Sequence, residues 1–256
     1  MDYTNDFFIQ AQGVIERVFR SNRPAILAAH GKIEAEIKGD NTPVTQLDKD
    51  IEEELRAALL KFDSSIGLEG EEFGIEGSRE TYWLIDPIDG TESFIRGLPF
   101  VRNMATLIDN GEPIFTVIYQ PTMDQLFVAA KGEGTYKNGQ KMQMVERPLK
   151  RSMVELHVPI SKNGVAKMVA ELQKSIFGYR ISDFCYVAEG KVDALLVYGG
   201  GGGPWDYAPR ALIIREAGGT VTNVGSDNYD FKINNMIASH PSIHDELQKI
   251  VTGALD

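Results

Sequence analysis

The segment that most constrains the fold is residues 83–94, where an apolar run ends on an acidic residue beside a proline. Residues 83–85 are Trp-Leu-Ile, and a short apolar run of this kind is typical of a buried strand. Asp86 precedes Pro87, so its backbone is disfavoured in the helical region and should remain extended. The sequence therefore predicts a buried strand that carries Asp86 at its end and is closed by Pro87.

The residues that follow predict a turn into a helix. Asp89 precedes Gly90 and Thr91, and Asp-Gly is a common turn pair in which the aspartate can also serve as the N-cap of a helix. The backbone amides of Gly90 and Thr91 would then point out of the helix start. Two carboxylates, Asp86 and Asp89, beside such N–H groups suit a cation and a phosphate together.

Length and composition indicate a folded, globular chain. Its 256 residues suffice for one large domain or two moderate ones, and 43% of them are hydrophobic. No apolar run approaches the roughly 20 residues that a membrane-spanning helix needs, and residues 1–6 lack the basic region of a signal peptide. We therefore expect a soluble, cytoplasmic protein that does not bind membranes.

Charge and cysteine content narrow the function. A net charge of -11 argues against direct nucleic-acid binding, because Lys and Arg must neutralise the phosphates in such complexes. If the substrate carries phosphate, metal ions must supply most of the positive charge. Cys185 is the single cysteine, which excludes an internal disulfide and favours a small buried side chain over a nucleophile.

Hydrophobic spacing predicts two helices before the first acidic segment. Apolar residues recur at helical spacing in residues 7–19, so the first thirty residues should form an amphipathic helix that bends or ends near Pro24. A second helix should begin at Thr45, because Asp48 three residues later gives a weak capping-box pattern, and its apolar face runs to Phe62.

Strand patterns then dominate up to about residue 150. These strands follow one another without intervening helices, which favours an antiparallel sheet. Asn138-Gly139 adds the signal of a tight hairpin. The candidate strands are residues 65–68, 83–86, 104–108, 114–119 and 126–130.

Beyond residue 150, strands alternate with helices, which favours a more parallel sheet. We therefore predict an α/β fold of the layered α+β kind, with one subdomain at 1–150 and a second at 151–256. The candidate strands here are residues 153–158, 193–197 and 220–224, and the candidate helices are residues 165–177, 183–189, 207–217 and 242–251.

Two further acidic segments accompany Asp86 and Asp89. Glu71 and Glu72 follow a glycine at the end of a candidate strand, and Asp206 follows Trp205 at the start of a candidate helix. Each is weak evidence alone, because an aspartate before a helix is commonly an N-cap and a glutamate pair in a loop is commonly solvated.

In combination, these segments resemble a known family. Their order and spacing are similar to those of the inositol monophosphatase family, whose members are Mg²⁺-dependent, lithium-sensitive phosphatases. The resemblance covers most of the chain and implies an alternating helix and sheet sandwich, related to that of fructose bisphosphatases, and a homodimer. The motifs that carry it are Val44-Thr45-x-x-Asp48, Gly70-Glu71-Glu72, Asp86-Pro87-Ile88-Asp89-Gly90-Thr91, Trp205-Asp206-x-Ala208 and Glu216-Ala217-Gly218-Gly219.

The resemblance also implies two to three Mg²⁺ ions. Glu71, Asp86 and the Ile88 carbonyl would hold the first ion. Asp86, Asp89 and Asp206 would hold the second, and Glu71 would also touch a third, weaker one. Carboxylate and carbonyl oxygens are the ligands that this hard cation prefers.

The catalytic residues implied by the resemblance are Asp48, Thr91 and Glu71. Thr91 with Asp48 would orient a metal-bound water as the nucleophile, while the Gly90 and Thr91 amides would hold phosphate oxygens. Phosphoryl transfer needs mainly positioning and neutralisation of charge, so no histidine or cysteine nucleophile is required. The implied activity is hydrolysis of a small soluble phosphate monoester of the inositol monophosphate type.

The part of the chain that would meet the rest of the substrate departs from the family's pattern. Only Ser182 is kept from a Gly-Ser-x-Ala segment, and the glycine run Gly199–Gly203 begins where an inositol-specific enzyme would carry a glutamate. The run is either a flexible connector or a substrate-adapted loop. Arg180, Asp183 and Arg210 are candidate contacts to the substrate, and Arg210 could equally face solvent.

The sequence is also compatible with other functions. Histidinol phosphate or a sugar bisphosphate could be the substrate on the same core, and a bisphosphate nucleotide ranks lower. A different class of function is a protein-binding adaptor of the transcription machinery. A calcium-storing or structural acidic protein is disfavoured, because Asp48 and Thr91 would then have no purpose.

Overall fold

The structure is a computed structural model that describes residues 3–39, 43–157, 170–172, 176–179 and 184–255. It divides into two units, Met1–Lys131 and Gly132–Asp256. The subdomain boundary near residue 150 stays a prediction. Within the described ranges, none of the helices has both the length and the apolar character needed to cross a membrane.

The first unit combines a mainly antiparallel sheet with helices. The helices are α1 (Asn5–Ala29), α2 (Gln46–Phe62) and α3 (Thr91–Ile95), and the strands are β1 (Glu36–Ile37), β2 (Pro43–Val44), β3 (Gly67–Gly70), β4 (Gly74–Glu76), β5 (Thr81–Asp89), β6 (Arg102–Asp109), β7 (Glu112–Gln120) and β8 (Gln125–Ala130). Six of these strands lie side by side in the order β8-β7-β6-β5-β3-β4, and β1 pairs with β2.

The predicted antiparallel sheet is confirmed, with one exception near the edge formed by β4. Strands β5, β6, β7 and β8 pair antiparallel in sequence order, whereas β3 pairs with β5 in parallel. Apolar residues of α1 and α2, including Phe19 and Leu55, pack against sheet residues such as Trp83 and Phe115 in one buried cluster. This packing explains the helical periodicity seen in both segments.

Helix α1 does not end near Pro24 but continues through it to Ala29. Helix α2 begins where the capping pattern predicts, with Thr45 as its N-cap. The end of β5 is a correction, since the strand passes through Pro87 and includes Asp89. The N-cap of α3 is Gly90 instead of Asp89.

The second unit contains a mixed sheet and helices. Its helices are α4 (Cys185–Ala188), α5 (Pro204–Glu216) and α6 (Pro241–Leu255), with a 3-10 turn at Leu149–Arg151, and its strands are β9 (Gly134–Lys137), β10 (Gln140–Met142), β11 (Met153–His157), β12 (Ile176–Tyr179), β13 (Ala194–Tyr198), β14 (Thr220–Thr222) and β15 (Asn235–Ser239). Within the described residues, five of these strands form one sheet with the order β12-β11-β13-β15-β14.

The expected parallel character holds for only part of this sheet. Strand β11 pairs in parallel with β12 and β13, but β15, which has no counterpart among the candidate strands, pairs antiparallel with β13 and β14. The helix expected at 165–177 falls mostly outside the described residues, and its last two positions belong to β12. The hairpin at Asn138 and Gly139 is confirmed, with φ angles of 48° and 78°.

Helix α6 covers one face of this sheet. Its residues Ile243, Leu247 and Val251 form a buried cluster with Leu156 and Leu196 of the strands. Cys185 is fully buried, as its sequence context predicts. The sheet therefore has a core of its own inside the second unit.

Candidate functional site

A bulge at the end of β5 places Asp86 and Asp89 side by side. Asp86 lies opposite Met104 and Asp89 opposite Arg102, so that three steps along β5 match two along β6. In a regular strand, residues three apart point to opposite faces, and the extra residue of the bulge removes this alternation. The two side chains offer carboxylate oxygens within 4.8 Å of each other. Such a pair can hold a divalent cation between its oxygens.

The turn after β5 requires a glycine and presents Thr91. Gly90 has a φ of 85°, and a Cβ atom there would lie 2.3 Å from the Phe100 carbonyl oxygen. The Thr91 hydroxyl lies 3.0 Å from the Ile88 carbonyl oxygen and 3.4 Å from Oδ1 of Asp48. Because a hydroxyl has one hydrogen to donate, it can serve only one of these acceptors at a time.

Asp48 is buried at the start of α2, 1% exposed. Its Oδ2 atom accepts hydrogen bonds from the Thr45 backbone N–H at 2.9 Å and from the Thr45 hydroxyl. Burial raises the pKa of Asp48 to about 6, although these hydrogen bonds oppose the shift. The helix cap thus leaves Oδ1 directed to Thr91.

Glu71 and Glu72 are held from two sides. The buried Glu52 carboxylate accepts hydrogen bonds from the backbone N–H groups of Glu72 and Phe73, at 2.8 and 3.2 Å. The Lys38 ammonium group lies 2.9 Å from Oε1 of Glu71 and 2.6 Å from Oε1 of Glu72. Burial works against the charge of Lys38, but the two carboxylates outweigh it and raise the pKa of Lys38. The acidic pair is therefore not a solvated loop.

Sequence reasoning missed three basic or polar partners in this unit. Lys38 pairs with Glu71, Arg102 lies 2.6 Å from Oδ2 of Asp89, and Asn103 donates to the Pro87 carbonyl. The one signal for the last two is a pair of polar residues directly before the apolar run of β6. Nothing in the sequence near Lys38 singles it out.

In the second unit, Asp206 belongs to the first turn of α5. Its Oδ2 accepts a hydrogen bond from the Gly203 N–H at 2.8 Å, which caps the helix. Its Oδ1 lies 3.2 Å from Nη2 of Arg210, one turn further along. The Arg210 guanidinium also lies over the rings of Phe184 and Tyr207, at 5.1 and 5.5 Å. Arg210 is mostly buried, which disfavours the alternative that its side chain faces solvent.

Close packing explains why glycine is needed at part of the run Gly199–Gly203. Gly202 has a φ of 99°, and a Cβ atom there would lie 2.4 Å from Oδ2 of Asp206. A side chain at this position would displace the carboxylate, whereas Gly201 has open space around it. The run therefore allows the backbone to pass close to Asp206.

The structure brings some of the predicted site residues into contact and leaves others outside the described part of the chain. Asp48, Thr91 and the Ile88 carbonyl form one hydrogen-bonded group, and Asp86 and Asp89 form a second. Glu71 follows β3, and its backbone N–H donates to the Ile85 carbonyl at 3.1 Å, next to Asp86 in the chain. Three predicted substrate contacts, Arg180, Ser182 and Asp183, lie outside the described residues.

Comparison with known proteins identifies the family of this chain. The sequence model of the inositol monophosphatase family matches residues 4–254. The chain is 33% identical over 226 residues to a fructose-1,6-bisphosphatase/inositol-1-monophosphatase of Aquifex aeolicus, covering 84% of each protein. It is 32% identical over 225 residues to the Nus factor SuhB of Escherichia coli, covering 82% of this chain and 83% of the relative. The structure of an IMPase of Thermotoga maritima superposes with a TM-score of 0.83 at 26% identity, covering 93% of this chain and 95% of that one. The chain belongs to the inositol monophosphatase family.

Proposed function

We propose that this chain is a Mg²⁺-dependent phosphomonoesterase that hydrolyses a small phosphate ester. The observation that carries the proposal is the contact of Thr91 with Asp48 beside the paired carboxylates of Asp86 and Asp89. A structural or calcium-storing protein would need the carboxylates but not a buried acid that faces a hydroxyl. Family membership supports a phosphoric monoester hydrolase.

The ligand set follows the chemistry of the donors. Mg²⁺ prefers carboxylate and carbonyl oxygen atoms, which are offered here by Asp86, Asp89, Glu71 and the Ile88 carbonyl. We propose that Asp206 completes the set. Two to three ions are expected from family membership. When bound, the ions would neutralise the phosphate and activate the attacking water.

The remaining chemistry lies with the protein's own groups. The Thr91 hydroxyl can accept a hydrogen bond from the attacking water while it donates its own hydrogen to Oδ1 of Asp48. Asp48 would receive the Thr91 proton as Thr91 takes one from the water, since the raised pKa of Asp48, about 6, lies close to neutral pH. Solvent would protonate the alkoxide that is released when the ester P–O bond breaks. The amides of Gly90 and Thr91 are proposed to bind phosphate oxygens.

A phosphate-release screen tests this proposal. The substrates would be inositol 1-phosphate, histidinol phosphate, fructose 1,6-bisphosphate and 3′-phosphoadenosine 5′-phosphate, each with Mg²⁺ and with EDTA. We expect Mg²⁺-dependent release from at least one ester. Release that is equal in EDTA, or absent from all four, would contradict the function.

The substrate's remaining part is proposed to meet Arg210, with Ser182, Arg180 and Asp183 as further contacts. Arg210 favours an ester with a second anionic group, because its guanidinium is always charged and is held beside Asp206. Inhibition by Li⁺, a homodimer and a cytoplasmic location are proposed on family membership alone. Lithium titration of activity, sedimentation analysis and cell fractionation test these three points.

A second candidate function is an adaptor of the transcription machinery. The 32% identity to the Nus factor SuhB of Escherichia coli supports it. The acidic chain would then meet protein and not nucleic acid directly. A folded chain that releases no phosphate but is retained by immobilised RNA polymerase would favour the adaptor over the enzyme.

A further inference from the structure

The pairing of Arg102 with Asp89 is set by the backbone. The two residues lie directly opposite each other on β6 and β5, beside the bulge. The fully buried Asn103 donates from Nδ2 to the Pro87 carbonyl at 2.5 Å and so holds the bulge in place. Strand register and this hydrogen bond therefore determine where the guanidinium lies.

Both charges of this pair are largely removed from water. The side chains of Arg102 and Asp89 are 6% and 10% exposed, and Nη1 lies 2.6 Å from Oδ2. By contrast, the side chains of Arg96 and Glu92 are 66% and 60% exposed, so water and salt screen their attraction. A guanidinium keeps its proton at any ordinary pH, so the positive charge beside Asp89 is permanent.

A divalent cation bound to Asp89 would have to share the carboxylate with this guanidinium. Oδ2 already contacts Arg102, and like charges a few ångströms apart repel strongly where water is scarce. We propose that Arg102 is an internal counter-ion of Asp89. It neutralises and orients this carboxylate in the metal-free protein, and it weakens the binding of the metal ion that Asp89 would hold. The inference rests on the proposed function, in which Asp89 is a metal ligand, and makes Arg102 a positioning residue.

Calorimetric titration of the full chain with MgCl₂, without substrate, tests the counter-ion. Arg102→Gln retains a hydrogen-bond donor but loses the charge, and should bind the Mg²⁺ ion held at Asp89 at least about tenfold more tightly than the wild type. Arg102→Lys retains the charge and should stay within about threefold of the wild type. Arg96→Gln, the matched control on the exposed arginine, should not differ. Equal or weaker Mg²⁺ binding by Arg102→Gln would overturn the proposal.

A measurement on the wild type makes the test independent of the metal affinity of the variants. The Nε–Hε NMR signal of Arg102, identified by its loss in Arg102→Lys, should be protected from exchange in the metal-free protein. It should shift and lose protection as Mg²⁺ saturates the site, while the Arg96 signal stays unchanged. An Arg102 signal that does not respond to saturating Mg²⁺ contradicts the counter-ion.

Phosphate release keeps this inference separate from the proposed function. If the wild type hydrolyses esters with Mg²⁺ but Arg102→Gln shows wild-type metal affinity, the counter-ion is refuted and the phosphatase stands. If Arg102→Gln and Arg102→Lys show the expected Mg²⁺ affinities but no ester is hydrolysed, the phosphatase is refuted and the counter-ion stands.

Discussion

The Asp89–Arg102 pair of the first unit and the Asp206–Arg210 pair of the second join the same two types of side chain in different ways. Arg102 reaches Asp89 across two strands, at 2.6 Å, next to a bulge. Arg210 follows Asp206 by one helical turn, at 3.2 Å, and lies over two aromatic rings. The first pair depends on strand register and the second on local helical spacing. We therefore expect the first pair to be a fixed part of the site and the second to adjust to the substrate.

Removal of the charge of Asp89 should have the largest effect. Asp89→Asn should reduce Mg²⁺-dependent phosphate release to less than about one-thousandth, because a neutral amide is a poor ligand for a hard cation. The variant should stay folded by circular dichroism but lose about 3 kcal/mol of its free energy of unfolding, since Arg102 loses its buried carboxylate. Glu92→Gln, on an exposed neighbour, is the control. Near wild-type turnover by Asp89→Asn would exclude Asp89 as a metal ligand.

Substitutions of Thr91 test whether its hydroxyl transfers a proton between the attacking water and Asp48. Thr91→Val keeps the shape but loses the hydroxyl, and should lower kcat about 100-fold, whereas Thr91→Ser should stay within about fivefold. Single-turnover phosphate release at saturating Mg²⁺ measures this directly. A valine variant as active as the serine variant would show that the contact with Asp48 is only structural.

Asp48 should make a pH-dependent contribution to the stability of the first unit. Its pKa is raised by burial to about 6, above its value in the unfolded chain, so the folded state binds the extra proton. The stabilisation is fully present below about pH 4 and is lost as pH rises through about 6, a change of about 3 kcal/mol. Denaturant unfolding of the metal-free protein between these pH values should show this slope relative to Asp48→Asn. Parallel pH profiles for the two proteins would refute it.

The glycine run tests the local environment of Asp206 in the second unit. Gly202→Ala should cost about 2 kcal/mol of unfolding free energy, because φ is positive and the new methyl group meets Oδ2 of Asp206. Gly201→Ala should change it by less than about 0.5 kcal/mol, since nothing lies near that position. Thermal melts of both variants make the comparison. Equal stability of the two alanine variants would mean that the run is only a connector.

The smallest effect is expected for the adjustable pair. Arg210→Gln should raise KM for fructose 1,6-bisphosphate about tenfold but that for inositol 1-phosphate less than about twofold, because only the bisphosphate offers a second anionic group. Its free energy of unfolding should fall by about 1 kcal/mol, because the guanidinium is mostly buried beside Asp206 and lies over the rings of Phe184 and Tyr207. An equal rise in KM for both esters would place Arg210 at the shared phosphate.

The parts of the fold that could be predicted are those with local causes. The capping residues Thr45 and Asp48 predict the start of α2, and Asn138-Gly139 predicts a hairpin. The end of β5 could not be predicted, because hydrogen bonding to β6 carries the strand past Pro87 into a bulge. Strand β15 was missed for a related reason, since its short apolar run becomes a strand only between β13 and β14.

The sequence by itself determined which residues can act as ligands and which motif they belong to, because carboxylates, a threonine and a glycine turn are properties of neighbouring residues. Only the tertiary structure decided which charges meet. Lys38 reaches Glu71 over 33 residues of chain, and Thr91 meets Asp48 over 43. Arg102 faces Asp89 because a bulge shifts the register between two strands. Pairing across strands depends on the whole sheet, whereas the Asp206 and Arg210 pair needs only one turn of helix.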